Sequence, residues 1–173
     1  PERDRRATAR GAGCGGGGGV RISAPLLVAM IAATAATAEE METLETVLSG
    51  QPEASYQHVR CAAFYLANIE WGGQALDERT FNDSKSVISA LMLVATLQRS
   101  AKMGGEVEHL ATTVNADTRA VADLYLGGYR QSYAMRGTAW EGNPLWESDA
   151  QTCAPIGEVA LSAVAQLEQS SKQ

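Results

Sequence analysis

The sequence predicts an all-α fold: an antiparallel helical bundle of four main helices plus a short N-terminal helix, held by one disulfide. Three observations carry this expectation. Apolar residues recur at three- and four-residue spacing through four long segments. The pairs Gly72-Gly73, Gly104-Gly105 and Asn143-Pro144 punctuate them at short intervals. No stretch of any length alternates apolar and polar residues as a half-buried strand would.

The first helix is expected over Glu40 to Leu48, with Met41, Leu44 and Leu48 on one face and Glu39, Glu40 and Glu42 placed well for the helix dipole. Ser49-Gly50 closes it. The second runs from about Glu53 to Trp71, Pro52 suiting its first turn. Val59, Ala63, Leu66 and then Ile69 or Glu70 mark its inner face, widened by Tyr56, Cys61, Phe64 and Tyr65. The third opens on Asp77, a good N-cap. Phe81, Ser84, Ile88, Leu91, Ala95 and Gln98 trace one row, joined by Val87, Val94 and Ala101. Met92, Leu93 and Leu97 make so much of its surface apolar that it is expected near the bundle centre.

The fourth helix is expected over Glu106 to about Arg136, striped by Val107, Leu110, Val114, Val121, Leu124 and Tyr125. Gly127-Gly128 should interrupt it or admit a neighbouring backbone. The last begins at Asn143-Pro144, an N-cap and first-turn pair. Leu145, Trp146, Asp149 and Cys153 follow at helical spacing. Pro155 should break or kink the helix before Ile156, Val159, Ala160, Val164 and Leu167 resume the period.

Ahead of the bundle, Arg21 precedes a short apolar run from Pro25 to Ala33, which ends in Ala36-Thr37-Ala38 and then Glu39-Glu40. A basic residue, a short apolar core and small residues three before and one before a cut have the layout of a secretory signal peptide. The run is far below the roughly 20 apolar residues a membrane span needs. Residues 20–38 are therefore expected to be a signal peptide, cut after Ala38, with Ala36 and Ala38 at the cleavage site. Residues 1–19, with their arginines and the glycine run Gly15 to Gly19, read as a non-native upstream leader, Val20 being the start, or else as a disordered basic tail. Residues 39–173 form a single domain.

This division changes the charge balance. The whole chain carries 14 Lys+Arg and 20 Asp+Glu, net −6. Residues 1–38 hold five arginines and two acids, which leaves nine basic and eighteen acidic residues, net −9, over 135 residues. That argues against nucleic acid, whose phosphates need a positive face, and against anionic membrane surfaces. Of the three cysteines, Cys14 falls in the leader. Cys61 and Cys153 remain, and two cysteines in an exported chain imply one disulfide. The competing reading is a reactive Cys61 with His58 one helical turn before it.

The motifs for cofactor and catalytic chemistry are missing. Covalent haem needs Cys-x-x-Cys-His, and di-iron bundles need paired Glu-x-x-His. Neither occurs, nor do Gly-x-Ser-x-Gly, His-Glu-x-x-His or a phosphate loop. His58 and His109 are the only histidines, and Met41, Met92, Met103 and Met135 are scattered as core fillers or exposed ends. No cofactor, metal or catalytic residue is expected.

One pattern stands out as a candidate contact patch. Tyr125, Tyr129 and Tyr133 recur every four residues, Trp140 and Trp146 follow, and Arg130 and Arg136 lie alongside. Tyrosine, tryptophan and arginine dominate interface hot spots. The plainer reading packs the tyrosines in the core with their hydroxyls at its edge.

From Cys61 onward, the segments Cys61-Ala-Ala-Phe-Tyr-Leu-Ala, Asp123-Leu-Tyr-Leu and Trp140-Glu-Gly-Asn-Pro-Leu, with Ser148-Asp149 and Cys153, resemble small exported all-helical proteins of alphaproteobacteria that carry one cysteine near each end of the domain. The resemblance implies pairing of Cys61 with Cys153 and no known activity. The expected function is a soluble periplasmic domain with a non-catalytic binding role towards an envelope protein or small ligand. The alternatives are an acid-responsive periplasmic chaperone and an enzyme with an unrecognised site.

Overall fold

The computed structural model describes residues 41–173. The leader, the signal segment and its cleavage residues Ala36 and Ala38 lie outside the described residues. Helices α1 (Leu44–Ser49), α2 (Tyr56–Gly72), α3 (Glu78–Met103), α4 (Val107–Arg136) and α5 (Pro144–Ser170) follow one another, with one 3-10 turn at Gly73–Ala75. Over the described residues the chain is thus an all-α bundle of four long helices and a short first one, as its periodicity predicts.

Local chemistry sets the starts. Thr43 caps α1 by accepting from the Thr46 N–H at 3.3 Å, and Asp77 caps α3 by accepting from the Thr80 N–H at 2.9 Å. Asn143 caps α5 from the Trp146 N–H at 3.3 Å. Each side-chain acceptor satisfies a donor that the first turn leaves free. The first two helices begin later than their spacing predicts. α1 waits for the Thr43 cap. Glu53 to Ser55 form a separate turn closed by Tyr56 N–H to the Glu53 carbonyl at 2.8 Å. Ser55 does not cap α2; its Oγ accepts from Arg99 Nε at 3.2 Å. Gly137, at φ 75, ends α4 in a left-handed conformation that favours glycine.

α2, not α3, is the central helix. It packs on all four others and buries the unbroken run His58 to Phe64 as well as Ala67. α3 buries only Ala90, Leu91, Ala95 and Thr96, and leaves Phe81, Leu93 and Leu97 exposed. Its apolar residues point in too many directions for one packed face to take them all. The small side chains of α2 (Ala62, Ala63, Ala67) instead let neighbours approach from several sides. Arg99, near the end of α3, reaches Ser55 at the start of α2, so those two helices run antiparallel. Cys61–Cys153 and Asn68–Trp146 set α5 antiparallel to α2 in the same way.

The disulfide joins Cys61 of α2 to Cys153 of α5 with Cα atoms 5.3 Å apart, both residues fully buried. This removes the reactive-thiol reading of Cys61.

Two expected interruptions do not occur. α5 continues through Pro155. Pro155 and Gln151, the residue whose carbonyl loses its helical donor, are both exposed, so water can take the freed acceptor. α4 likewise runs through Gly127 and Gly128, and a Cβ at either would meet nothing within 4 Å, so no backbone approaches there. The stripe of α4 lies through Leu110, Val114, Thr118, Ala122 and Tyr125, which leaves Val107 and Leu124 exposed; on α5, Val159 and Leu167 are likewise exposed.

Candidate functional site

The polar centre of the bundle grows from one residue that the apolar pattern hides. Arg60 sits beside Cys61 on the buried face of α2 and has only 1% of its surface exposed. Its Nη2 donates to Asp149 Oδ2 at 2.8 Å and to the Glu42 carbonyl at 2.6 Å. Nε donates to Tyr125 Oη at 2.6 Å and to Asp149 Oδ2 at 3.2 Å, and Nη1 to Tyr56 Oη at 3.2 Å. Asp149, fully buried on α5, also accepts the Tyr125 hydroxyl through Oδ2, and through Oδ1 the backbone N–H of Leu44 at 2.6 Å. One ion pair thereby ties α1, α2, α4 and α5 together.

A charge this deep survives because its partners are saturated. Burial works against the Arg60 cation, but Tyr125 and Asp149 outweigh it and hold its pKa above the ordinary value. Burial pushes the Tyr125 hydroxyl up, with Asp149 adding to the effect and Arg60 opposing it. Tyr125 stays a neutral phenol that accepts from the guanidinium and donates to the carboxylate. Neither of the two clefts described below is lined by Arg60, Tyr125 or Asp149.

The tyrosine series does not form one surface. Tyr125 and Tyr129 are buried, whereas Tyr133 is 56% exposed. The reason is helical geometry: each four-residue step turns about 40° around the axis, so the third rung has rotated off the packed face. The core reading therefore describes Tyr125 and Tyr129. Trp71 of α2 fills the space beside the ladder, edge-on to Tyr129 at 6.0 Å and to Tyr133 at 5.9 Å between ring centroids. Arg136 is exposed and donates to Ser132 Oγ at 2.8 Å, so it turns back on its own helix.

Trp140 and Trp146 belong to a different feature. With Phe64, Tyr65, Asn68 and Ile69 of α2, Leu76, Thr80 and Ser84, and Ala150 of α5, they line a cleft of about 310 Å³. Asn68 organises its floor. Its Oδ1 accepts from Tyr129 Oη and from Trp146 Nε1, both at 3.0 Å. Trp146 packs on Phe64 at 6.1 Å and on Trp140 at 6.3 Å between centroids. The α4–α5 loop carries Trp140 and is fixed by Asn143, whose Nδ2 donates to the Ala139 carbonyl at 3.0 Å. Trp140 Nε1 is buried and has no hydrogen-bond partner.

A second cleft, of about 370 Å³, lies between α3 and α5 and is lined by Ser86, Ser89, Ala90, Leu93, Leu161, Val164, Ala165 and Glu168. His58 is buried, with Nδ1 3.4 Å from the Ala54 carbonyl, and His109 is exposed. Among the described residues no group of three or more His, Cys, Asp or Glu side chains is placed to hold a metal ion.

Sequence reasoning missed Arg60 and Asn68. Arg60 carried a usable sign: it adjoins Cys61, while Asp149 lies one turn before Cys153. Pairing the cysteines sets a basic and an acidic residue side by side. Asn68 gives no comparable sign, because its role appears only where three helices meet. No protein-family profile, curated protein or solved structure matches the chain.

Proposed function

We propose that the chain is an exported helical-bundle domain of the bacterial envelope with a non-catalytic binding role, and that it takes a small ligand in the cleft bordered by α2, α3 and α5. The observation that carries this reading is the lining: seven of its ten residues are apolar or aromatic, and Asn68, Thr80 and Ser84 supply the polar groups. A mostly apolar concavity with a few fixed polar groups is the usual form of a small-molecule site, and about 310 Å³ lies near the lower end of the roughly 300–1,000 Å³ such sites span. Export is supported by the buried disulfide and by the short apolar segment ending at Ala36 and Ala38. No helix among the described residues is long and apolar enough to cross a membrane.

The binding reading is tested by thermal unfolding of the oxidised protein against a library of small apolar compounds. Hits should raise the midpoint of the wild type and leave a Ser84→Trp variant, whose added indole fills the cleft, unmoved. Equal shifts in both proteins would place binding elsewhere. Export is tested by fractionation of expressing cells, with a mature chain that begins at Glu39.

A further inference from the structure

The outward side of α3 is bare of charge. Asn82, Ser86, Ser89, Leu93 and Leu97 are exposed and recur at spacings of three and four, so they share one face of the helix. No Lys, Arg, Asp or Glu occurs from Ser86 to Gln98. At about 100° per residue, Asp83 and Lys85 project to the two flanks of this face, and Arg99 turns away to Ser55 and Asp117. α5 extends the same surface. Val159 to Leu167 hold no charge either, and Leu161 and Ala165 are exposed beside α3 along the second cleft. α4, by contrast, exposes Glu108, Arg119, Asp123, Arg130 and Arg136 along its length.

We infer that this face is the contact surface of a homodimer, covered by the same face of a second copy about a twofold axis running along α3. Charge favours that occupant. Residues 39–173 carry net −9, so two molecules repel through most of their surfaces, and like charges set opposite one another are costly. A twofold contact lays one patch on itself, so a charge at its centre would meet its own sign. This face has none there. Charge depleted from the centre and kept to the rim is the composition that marks interface cores.

The rim is complementary. Val87 lies against Gly157, where a Cβ would sit 3.0 Å from Val87 Cγ1, so Glu158 marks the α5 flank at that height. Lys85, over the Phe81 ring at 5.3 Å, marks the other flank. A twofold axis along α3 exchanges the flanks and keeps the height, which sets Lys85 of each copy beside Glu158 of the other. Leu93 and Leu97, each over a third exposed, then meet their counterparts at the centre. So small a face, half of it serine, makes an interface at the weak end of the specific range.

Sedimentation equilibrium of the oxidised protein from about 1 μM to about 1 mM should show monomer and dimer, no larger species, and a micromolar dissociation constant. Ser89→Lys puts a charge at the centre of the face and removes no packed apolar surface. It enters the contact twice and should weaken the dimer about a hundredfold or more. Thr112→Lys is the matched control. This exposed residue of α4 donates its hydroxyl one turn back to the Glu108 carbonyl, as Ser89 does to that of Lys85, and its change should leave the dimer at least as tight. Circular dichroism and urea midpoints check that each variant folds, with Ser86→Lys replacing Ser89→Lys if the latter does not. Lys85→Glu should weaken the dimer about three- to tenfold. Adding Glu158→Lys should restore it, whereas adding Glu141→Lys, which repairs only the net charge, should not.

A protein that stays monomeric to about 1 mM, a mass that grows past the dimer, or a dimer as tight in Ser89→Lys as in Thr112→Lys overturns the inference. A Lys85→Glu, Glu158→Lys protein that associates no better than Lys85→Glu, Glu141→Lys overturns the twofold pairing. A monomer that instead binds phosphatidylcholine vesicles, and loses them in Ser89→Lys, assigns the face to a lipid surface and not to a second copy.

Discussion

Arg60 and Asp149 set the energetic stakes at the scale of single residues. Removing one member of a buried pair strands the other charge, so Arg60→Ala should cost about 3–5 kcal/mol in urea unfolding. Replacing both, as Arg60→Met with Asp149→Leu, should recover much of that loss, because the desolvated charges leave together. It should stop short of full recovery, since the Leu44 N–H and the Glu42 carbonyl keep no partner, each about 1–3 kcal/mol. His58 supplies the pH dependence. Burial lowers its pKa below the ordinary 6.5, against the bond to the Ala54 carbonyl and the neighbouring Gln98 side chain, which would raise it. The unfolded chain therefore takes the proton first. Stability should fall as pH drops from neutrality through 6.5 and level off once pH lies below the folded-state pKa. Unfolding midpoints from neutral pH down to about pH 5 should show the decline, and His58→Gln should flatten it. Arg60 could have been found by following the cysteine pair, but nothing in local spacing announces that His58 is enclosed, because Val59 and Cys61 beside it already account for the helix's apolar face.

At the scale of elements, glycine placement separates conformational cost from packing. Gly128 lies in the middle of α4, where a Cβ would meet nothing. Gly128→Ala should therefore stabilise by about 0.5–1 kcal/mol through backbone entropy alone. Gly157 lies inside α5, but its Cβ would sit 3.0 Å from Val87 Cγ1 and 3.7 Å from Tyr65 Oη. Gly157→Ala should lose that gain to the collision, and a Val87→Ala background should restore it; chemical-denaturation midpoints of the set decide. The sequence shows the helices well because their period is local: the caps at Asp77 and Asn143, and the ends near Gly104 and Gly137, are read from neighbouring residues. It shows helix continuity poorly. Pro155 and Gly127-Gly128 look like breaks, yet tertiary packing on the opposite face holds both helices through them, and the exposed side gives water access to what is lost. The cleft is less legible still. Trp140 and Trp146 stand out by composition, but their partners Phe64, Asn68 and Leu76 come from other elements, and no spacing along one helix brings them together.

For the molecule as a whole, the disulfide and the ion pair act at the same junction of α2 with α5. The bridge closes residues 92 apart in sequence, so its loss should cost about 4–5 kcal/mol by the chain-entropy argument. Urea titrations with and without reductant, or of Cys61→Ala with Cys153→Ala, measure this. The reduced protein should keep the Arg60–Asp149 contact and stay helical by circular dichroism, but with a lower midpoint. Because both cysteines are fully buried, a thiol in solution cannot attack either sulfur until the last helix lifts from the second. The rate at which dilute reductant cleaves the bond under native conditions therefore reports how often that seam opens. A compound that binds across α2 and α5 would lengthen the interval between openings, so occupancy of the cleft could be read in time as well as in temperature, from the slowing of a single chemical reaction at a bond the ligand never touches.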